Sequence, residues 1–485
     1  SDWRASPVFK REFEKLKARL VAGGHMQDRD LYTKDDIASP TVGTSSVMTV
    51  IAIAAKERRH VASADIGGAY LNARMTKGKL ILMRLSKENA AILVWLKPEY
   101  SVFLQPNGTM IVRLTKALYG CVESAKLWYN HLRQALEADG YTQNPIDICV
   151  FNKTVNSVQC TICVHVDDLL LTSIDESIIE NTLQHLIEVY KEVSISRGKV
   201  QQYLGMLFDF SKSGKCYVSM PKFTEEVLQK GGVSGVAATP ALESLFVIRE
   251  GAELLDAEQK EQFHSVVAML QYLAKRVRPD ILCPVVFLTT RVQAPDVDDM
   301  GKLHRILKYL NGTKGIGICI EPDKDGIMSM HVYVDASFAV HGEFKSHTGI
   351  VVTFGGGGIY FRSTKQKLNT TSSTEAELVA VSDAMPSLIH VREFLIHQGY
   401  DMGPANLYQD NQSTIKLIEN GRSNSERTRH INIRFFFVKD RLASGEISVT
   451  YMPTDDMIAD ILTKPLQGSK FRELRARLLN WEEEM

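Results

Sequence analysis

The chain has 485 residues, 57 basic and 57 acidic side chains, and a formal charge of zero, with 44% hydrophobic and 24% charged residues. That length exceeds one ordinary core and predicts about three domains, and the composition is that of a soluble globular protein with sizeable cores. Zero net charge excludes a generally basic nucleic-acid coat, so any grip on a phosphate backbone must come from local patches. Candidates are Lys10, Arg11, Lys15, Lys17 and Arg19, then Lys302, Arg305 and Lys308, then Arg422, Arg427, Arg429 and Arg434; a solvated helix face is the competing reading for each.

The first twenty residues are charged and helix-compatible, and Gly23-Gly24 through Thr44 read as a loop. Val47 to Glu57 carries helical periodicity, and a strand follows that ends at Asp65. Ser124 to Ala138 is a second helix, with Leu127, Trp128, Leu132, Ala135 and Leu136 at three and four spacings. Val150 to Lys153, a turn at Asn156-Ser157 and the run into Asp167 predict an antiparallel hairpin. Ser177 to Tyr190 is amphipathic, and Tyr203 to Phe210 reads as a strand. From Pro221 to Leu310 the pattern turns helical, clearest at Phe263–Lys275, Ile281–Val292 and Met300–Leu310. Asn311-Gly312 and the Pro322 to Gly326 cluster mark a boundary before a strand at Met330 to Asp335. Gly355 to Gly358 lies between strand-like runs with no Lys-Ser/Thr after it, so it reads as a hairpin turn, not a phosphate loop.

The seven cysteines form no paired framework, which suggests a reducing compartment. Cys160-Thr-Ile-Cys163 has zinc-like spacing, but side chains three apart on a strand point to opposite faces, so both read as core. No apolar run reaches the ~18 residues a bilayer span needs, and the N-terminus lacks a signal pattern. The expectation is a cytoplasmic chain with no membrane contact.

The chemistry concentrates in acids at strand ends. Asp167 and Asp168 interrupt two apolar runs, Val158 to Val166 and Leu169 to Leu171, and Asp65 ends a third. Unpaired carboxylates there are costly unless a cation sits beside them, and a hard divalent ion prefers oxygen ligands. The competing reading is a solvated acidic turn.

Asp65 with Tyr70 after it, and His165-Val-Asp167-Asp168, resemble the palm motifs of reverse transcriptases. Lys17-Ala-Arg-Leu-Val-Ala22, Leu118-Tyr-Gly120, Tyr203-Leu-Gly205, Ser372-Ser-Thr-Glu-Ala-Glu377, Tyr408-Gln-Asp-Asn-Gln412, Arg427-Thr-Arg-His-Ile431 and Ala459-Asp-Ile-Leu-Thr-Lys-Pro465 narrow it. In family order and over nearly the whole chain, these resemble the polymerase and ribonuclease H portion of a copia-type LTR retrotransposon polyprotein.

The resemblance implies an α+β fold: a right-hand polymerase followed by an α/β ribonuclease H-like domain with a mixed sheet. Fingers and palm would fill residues 1–215, thumb and connection 216–325, and ribonuclease H 326–485. It implies RNA-directed DNA synthesis with linked ribonuclease H activity. The partners are an RNA template, a DNA primer, their RNA–DNA hybrid and deoxynucleoside triphosphates, with a dimer left open. Each active site would use two Mg²⁺ ions, or Mn²⁺ instead. A virus-like particle in the cytoplasm, or the nucleus, is the implied location.

In the polymerase site Asp65, Asp167 and Asp168 would hold metal, and the backbone of Ile66 and Gly67 would lie along the triphosphate. Tyr70 would pack beneath the incoming sugar, with an ordinary core aromatic as the alternative. Lys17 and Arg19 would meet phosphate, and His165 stands where the family has Tyr, near the primer end. Ser124-Ala125 replaces the usual Ser-Pro, and Glu123 stands where Gln is frequent. In the nuclease site Asp335, Glu375, Asp410 and Asp460 would hold metal. Ser372-Ser-Thr-Glu375 also fits a capping box, which competes for Glu375. His430, Arg427 and Arg429 would bind the hybrid backbone, with proton transfer as a second role for His430. The rival readings are a catalytically impaired element remnant that binds nucleic acid or serves as a structural subunit, and a nuclease with a dead polymerase half.

Overall fold

The computed structural model describes residues 20–76, 80–324, 328–420 and 432–481. Three main sheets and their helices share them. The first sheet runs, edge to edge, Thr142–Gln143, Val150–Val155, Val158–His165, Asp168–Ser173, His60–Ile66 and Val193–Arg197, and every neighbouring pair is antiparallel. The predicted hairpin is there: Asn156 and Ser157 both have positive φ, 48° and 66°, the geometry that matches strand twist in a two-residue turn. Helices Ser124–Ala138 and Glu176–Tyr190 cover one face, where Trp128, Leu132, Leu183 and Leu186 meet Cys160, Ile162, Leu169 and Leu171. Cys163 and Leu170 point the other way, into the larger core. All seven cysteines are buried free thiols, so the Cys160/Cys163 pair splits between faces as strand alternation requires.

The second sheet corrects one element. Tyr203 to Phe210 is not one strand but parts of two, Val200–Tyr203 and Met206–Asp209, folded back at Leu204 and Gly205 with φ of 54° and 76°. It continues through Cys216–Ser219 to Ile318–Pro322 and the short Gly355–Gly356. Between the third and fourth of these strands the chain makes four helices, Pro221–Gly231, Ala257–Ala274, Leu282–Thr289 and Val297–Gly312. Capping boxes at Asp256 and Asp296 begin two of them. Lys302 and Arg305, read above as one phosphate patch, donate to the Val247 carbonyl at 2.7 Å and the Thr239 hydroxyl at 2.8 Å, so both help tie down the segment before them.

The third sheet has the order Gly358–Lys365, His347–Thr353, His331–Ser337, Ala405–Gln409, Ile447–Tyr451. Its first two pairings are antiparallel and its last two parallel, so it is mixed. The Gly355–Gly358 segment does turn the chain between antiparallel strands, and it also lends Gly355 and Gly356 to the second sheet. Helix Ser373–His397 packs on this sheet, and its carbonyls at Phe394 and Gln398 accept bonds from Asn144 (3.3 Å) and Gln159 (3.0 Å) of the first-sheet region.

One helix joins the three layers. In Thr44–Glu57 every residue from Ser46 to Ala55 is buried, and its Val, Ile and Ala side chains belong to a core that also holds residues of all three sheets. A helix apolar on all sides is stable only when surrounded. Among the described residues no helix is long and apolar enough to cross a membrane.

Candidate active sites

The first group of acids forms where two strands end together. Antiparallel pairing sets Asp65 directly opposite Asp168, and His165 opposite Asp168 across a two-residue turn, Val166-Asp167. Val166 has φ of 59°, a conformation that crowds a β-branched side chain and persists only where neighbours enforce it. They do: the Trp128 indole donates to the Val166 carbonyl at 2.6 Å, and the Ile66 amide donates to the Asp167 carbonyl at 3.1 Å. Burial, then the charges of Asp167 and Asp65, raise the Asp168 carboxyl to about 6. Asp168 is thus held closer to Asp65 and Asp167 than their charges favour, although the three do not bring ligand atoms within 4.8 Å of one another; a divalent cation would relieve the repulsion, and oxygen donors suit one. Trp128→Phe would leave the Val166 carbonyl without its donor and is expected to lower stability by about 1–3 kcal/mol in urea unfolding.

The neighbours of this turn divide. Tyr70 is half-buried, its ring centroid 4.3 Å from that of Tyr119, and burial and then the Asp167 charge raise its phenol. His165 Nδ1 is buried without a hydrogen-bond partner among the described residues, and burial lowers the imidazole's proton affinity. The backbone of Ile66 and Gly67 is tied to the turn. Their amides are committed to the Asp167 and Glu192 carbonyls, the latter at 2.8 Å, so they fix the turn and are not free to donate to a phosphate. A side chain at Gly67 would meet the Glu192 carboxylate at 2.9 Å and its Cβ at 3.0 Å, so Glu192 would have to shift to admit one. Lys17 and Arg19 lie outside the described residues.

The second group sits about the third sheet. Asp335 is on the central strand and Asp410 directly follows its parallel neighbour; the register His331↔Asn406 to Tyr333↔Tyr408, carried on, puts the two acids side by side. The third member is Glu377, not Glu375. Ligand atoms of Asp335, Glu377 and Asp410 lie within 4.8 Å of one another, the only such trio of acids, histidines or cysteines among the described residues. Glu375 is taken by the cap: its carboxylate accepts from the Thr371 amide at 2.7 Å, while its own amide donates to Ser372 Oγ at 3.2 Å. At about 100° per residue, the position two further on faces the opposite side, toward the sheet. There Glu377 accepts from Gln409 Nε2 at 3.2 Å.

Burial, reinforced by Asp335 and Asp410, raises the Glu377 carboxyl well above the ordinary range. Burial raises Asp410 too, against a bond from the Thr454 hydroxyl at 2.9 Å. Asp460, on the short helix Ile458–Leu462, is raised to about 7 by burial and then Asp335. Two residues the sequence reading passed over complete the site: the Thr463 hydroxyl donates to Asp335 Oδ2, and Lys464 Nζ lies 2.7 Å from Asp460 Oδ1 and 3.3 Å from Asp335 Oδ1. Both stand in the quoted Ala459–Pro465 motif, so the signal was present. Three clustered carboxylates short of positive charge suit a hard divalent ion. His430, Arg427 and Arg429 lie outside the described residues; Arg434, from the same basic stretch, is 2.5 Å from Asp383.

Residues 8–242 match the reverse transcriptase (RNA-dependent DNA polymerase) family. The Retrovirus-related Pol polyprotein from transposon TNT 1-94 of Nicotiana tabacum is 26% identical, over 94% of this chain and 33% of its own length. The corresponding polyprotein from transposon RE1 of Arabidopsis thaliana is 28% identical, over 96% and 30%. These matches support the chain's resemblance to copia-type retrotransposon Pol proteins. The chain also matches the Transposon Ty1-NL2 Gag-Pol polyprotein of Saccharomyces cerevisiae at 26% identity, over 94% of the chain and 26% of that polyprotein. It therefore spans about a third or less of the curated relatives it matches. Among solved structures, the Prototype Foamy Virus Protease-Reverse Transcriptase aligns at 12% identity over 89% of this chain and 48% of its own, with a TM-score of 0.23. LC11-RNase H1 aligns at 16% identity over 28% and 93%, also with a TM-score of 0.23. Likeness at that level adds no weight to the geometry above.

Proposed function

We propose that this chain is an RNA-directed DNA polymerase with a linked ribonuclease H, which copies element RNA into DNA and degrades the RNA of the resulting hybrid. The observation that supports it most is the pair of separate carboxylate groups, one where Asp65 and Asp168 pair across two strands and one where Asp335 and Asp410 meet Glu377. In this reading residues 1–215 supply fingers and palm, 216–325 thumb and connection, and 326–485 the ribonuclease H. The strands Cys216–Ser219 and Ile318–Pro322 would then lash the three parts together.

Mg²⁺, or Mn²⁺ in its place, would supply charge stabilisation on the attacking and leaving oxygens of an in-line phosphoryl displacement. Asp65, Asp167 and Asp168 would hold it in the polymerase site, and the Tyr70 ring, braced by Tyr119, would floor the nucleotide sugar. His165 has no phenol to offer the primer; its unpartnered Nδ1 is the polar atom there instead. In the nuclease site Asp335, Glu377 and Asp410 would form the ligand set, with Asp460 beside it. An RNA template, a DNA primer, their hybrid and deoxynucleoside triphosphates are the partners this chemistry needs. Tethering the sites gives the second its substrate at a raised effective concentration.

The test runs primer extension on an RNA template and cleavage of a labelled RNA–DNA hybrid, both with Mg²⁺, on three proteins. Asp167→Asn is expected to lose extension by roughly 10³-fold and keep cleavage, and Asp410→Asn the reverse. A wild-type chain that yields neither product at high enzyme concentration would overturn the proposal.

A further inference from the structure

Asp335, Glu377 and Asp410 close into a ligand trio, and Asp460 does not join it. The gap between Asp335 and Asp460 holds an ammonium group. Lys464 Nζ is 2.7 Å from one acid and 3.3 Å from the other, so it bridges them as a cation would. The placement is built into the chain. The Lys464 amide donates to the Asp460 carbonyl at 2.9 Å, one helical turn that puts residue 464 over residue 460. The Thr463 hydroxyl occupies Asp335 Oδ2 and leaves Oδ1 to the lysine. Asp335 thus faces the trio on one side and Lys464 on the other.

Formal charge shows why the two cations compete. Against four carboxylates, one divalent ion plus the ammonium leaves a single negative charge. Two divalent ions without the ammonium reach neutrality, and two with it overshoot. Like charges within a few ångströms of each other in a partly buried site repel strongly. The lysine also has an exit, since about a third of its side chain is exposed while the Asp335 side chain is 1% exposed. An ammonium on a flexible four-carbon stem can swing outward where a fixed carboxylate cannot.

We infer that Lys464 is a built-in counter-cation holding the place of a second divalent ion between Asp335 and Asp460. The free protein then takes one ion in the nuclease site, at Asp335, Glu377 and Asp410, and a second only as Lys464 withdraws. This rests on the proposed reading of these acids as a metal centre.

Calorimetric titration of the full chain with Mn²⁺ tests it, with any ion at the Asp65 site common to every protein compared. Lys464→Met is expected to bind one more Mn²⁺ per chain than wild type, or its weakest ion about ten-fold more tightly, and Lys464→Arg to keep the wild-type count. Equal counts and affinities in wild type and Lys464→Met would overturn the inference. If Asp410→Asn instead fails to remove any Mn²⁺ from the wild-type count, the metal-centre reading itself falls. A second measurement needs no variant: acetylation of Lys464 by a water-soluble amine reagent, mapped by mass spectrometry. Labelling is expected to rise several-fold as Mn²⁺ saturates the protein, and labelling that does not change with Mn²⁺ would refute the exchange.

Discussion

Glu377→Gln is expected to reduce hybrid cleavage by roughly 10³-fold, whereas Glu375→Ala, two residues away, should change it by no more than a few-fold. The two acids share a helical turn and differ in what they touch. Glu377 lies buried against Asp335 and Asp410, where its charge is needed only if a cation sits among the three. Glu375 closes a backbone cap, and its loss should cost about 1 kcal/mol of stability instead. A second readout separates the roles. Without metal, Glu377→Gln removes a buried repulsion and should melt higher than wild type. With Mg²⁺ it should gain less than wild type does, because ligand stabilisation scales with binding. Equal cleavage losses in the two variants would refute the assignment.

Acid should unfold this protein through a pair of histidines as well as through its carboxylates. His341 Nε2 is 2.9 Å from His347 Nδ1, His347 Nε2 is 2.7 Å from Ser363 Oγ, and that hydroxyl donates to the Leu462 carbonyl at 2.7 Å. The last bond fixes the rest. Since Ser363 gives its proton to Leu462, His347 must donate through Nε2 and accept at Nδ1, so His341 is the donor between the rings. A proton added to His347 Nδ1 would set donor against donor. Burial depresses His341 to about 4, and burial followed by the charge of His341 depresses His347 to about 3.

The sign follows from linkage. Below about 6.5 the unfolded chain takes up protons that the folded pair refuses, so this contribution is fully present near pH 7 and falls away on acidification. Asp168 and Asp460 work the other way: their raised affinities mean that they bind protons more readily when folded. The histidine part is therefore read as the difference between wild type and His347→Gln. That difference should shrink by about 3 kcal/mol from pH 7 to pH 4 in urea unfolding, and a difference flat across this range would refute it. Phe246 and Phe287 from the helical segment pack on the same rings, so the chain of bonds ends at Leu462 but is braced from outside the third sheet.

What the sequence disclosed and withheld has physical causes. Acids near strand ends were legible because each breaks an apolar alternation: Asp65 does pair with Asp168, and Asp335 does come together with Asp410. Helix Ser124–Ala138 was legible to the residue because its apolar stripe and its ends agree. Glu375 and Glu377 could not be separated by motif order alone. The capping box around Ser372 was the clue, since a carboxylate used by a backbone amide is not available to an ion. Lys464 and Thr463 escaped because a lysine or threonine on a short polar turn reads as surface until strands from elsewhere deliver Asp335 to it. The fold-back at Leu204-Gly205 escaped because a non-glycine residue at positive φ has no composition signal.

The buried helix Thr44–Glu57 has a consequence for dissection. Its residues Ser46 to Ala55 line the common core, yet it lies near the start of the chain, far in sequence from the strands of the third sheet it packs against. A fragment begun at residue 326 would keep every acid of the nuclease centre and forfeit the apolar wall behind the sheet. Cutting there should then release a sticky half-shell rather than a free-standing domain. The two groups of acids would consequently be kept, and lost, as a single thermodynamic unit.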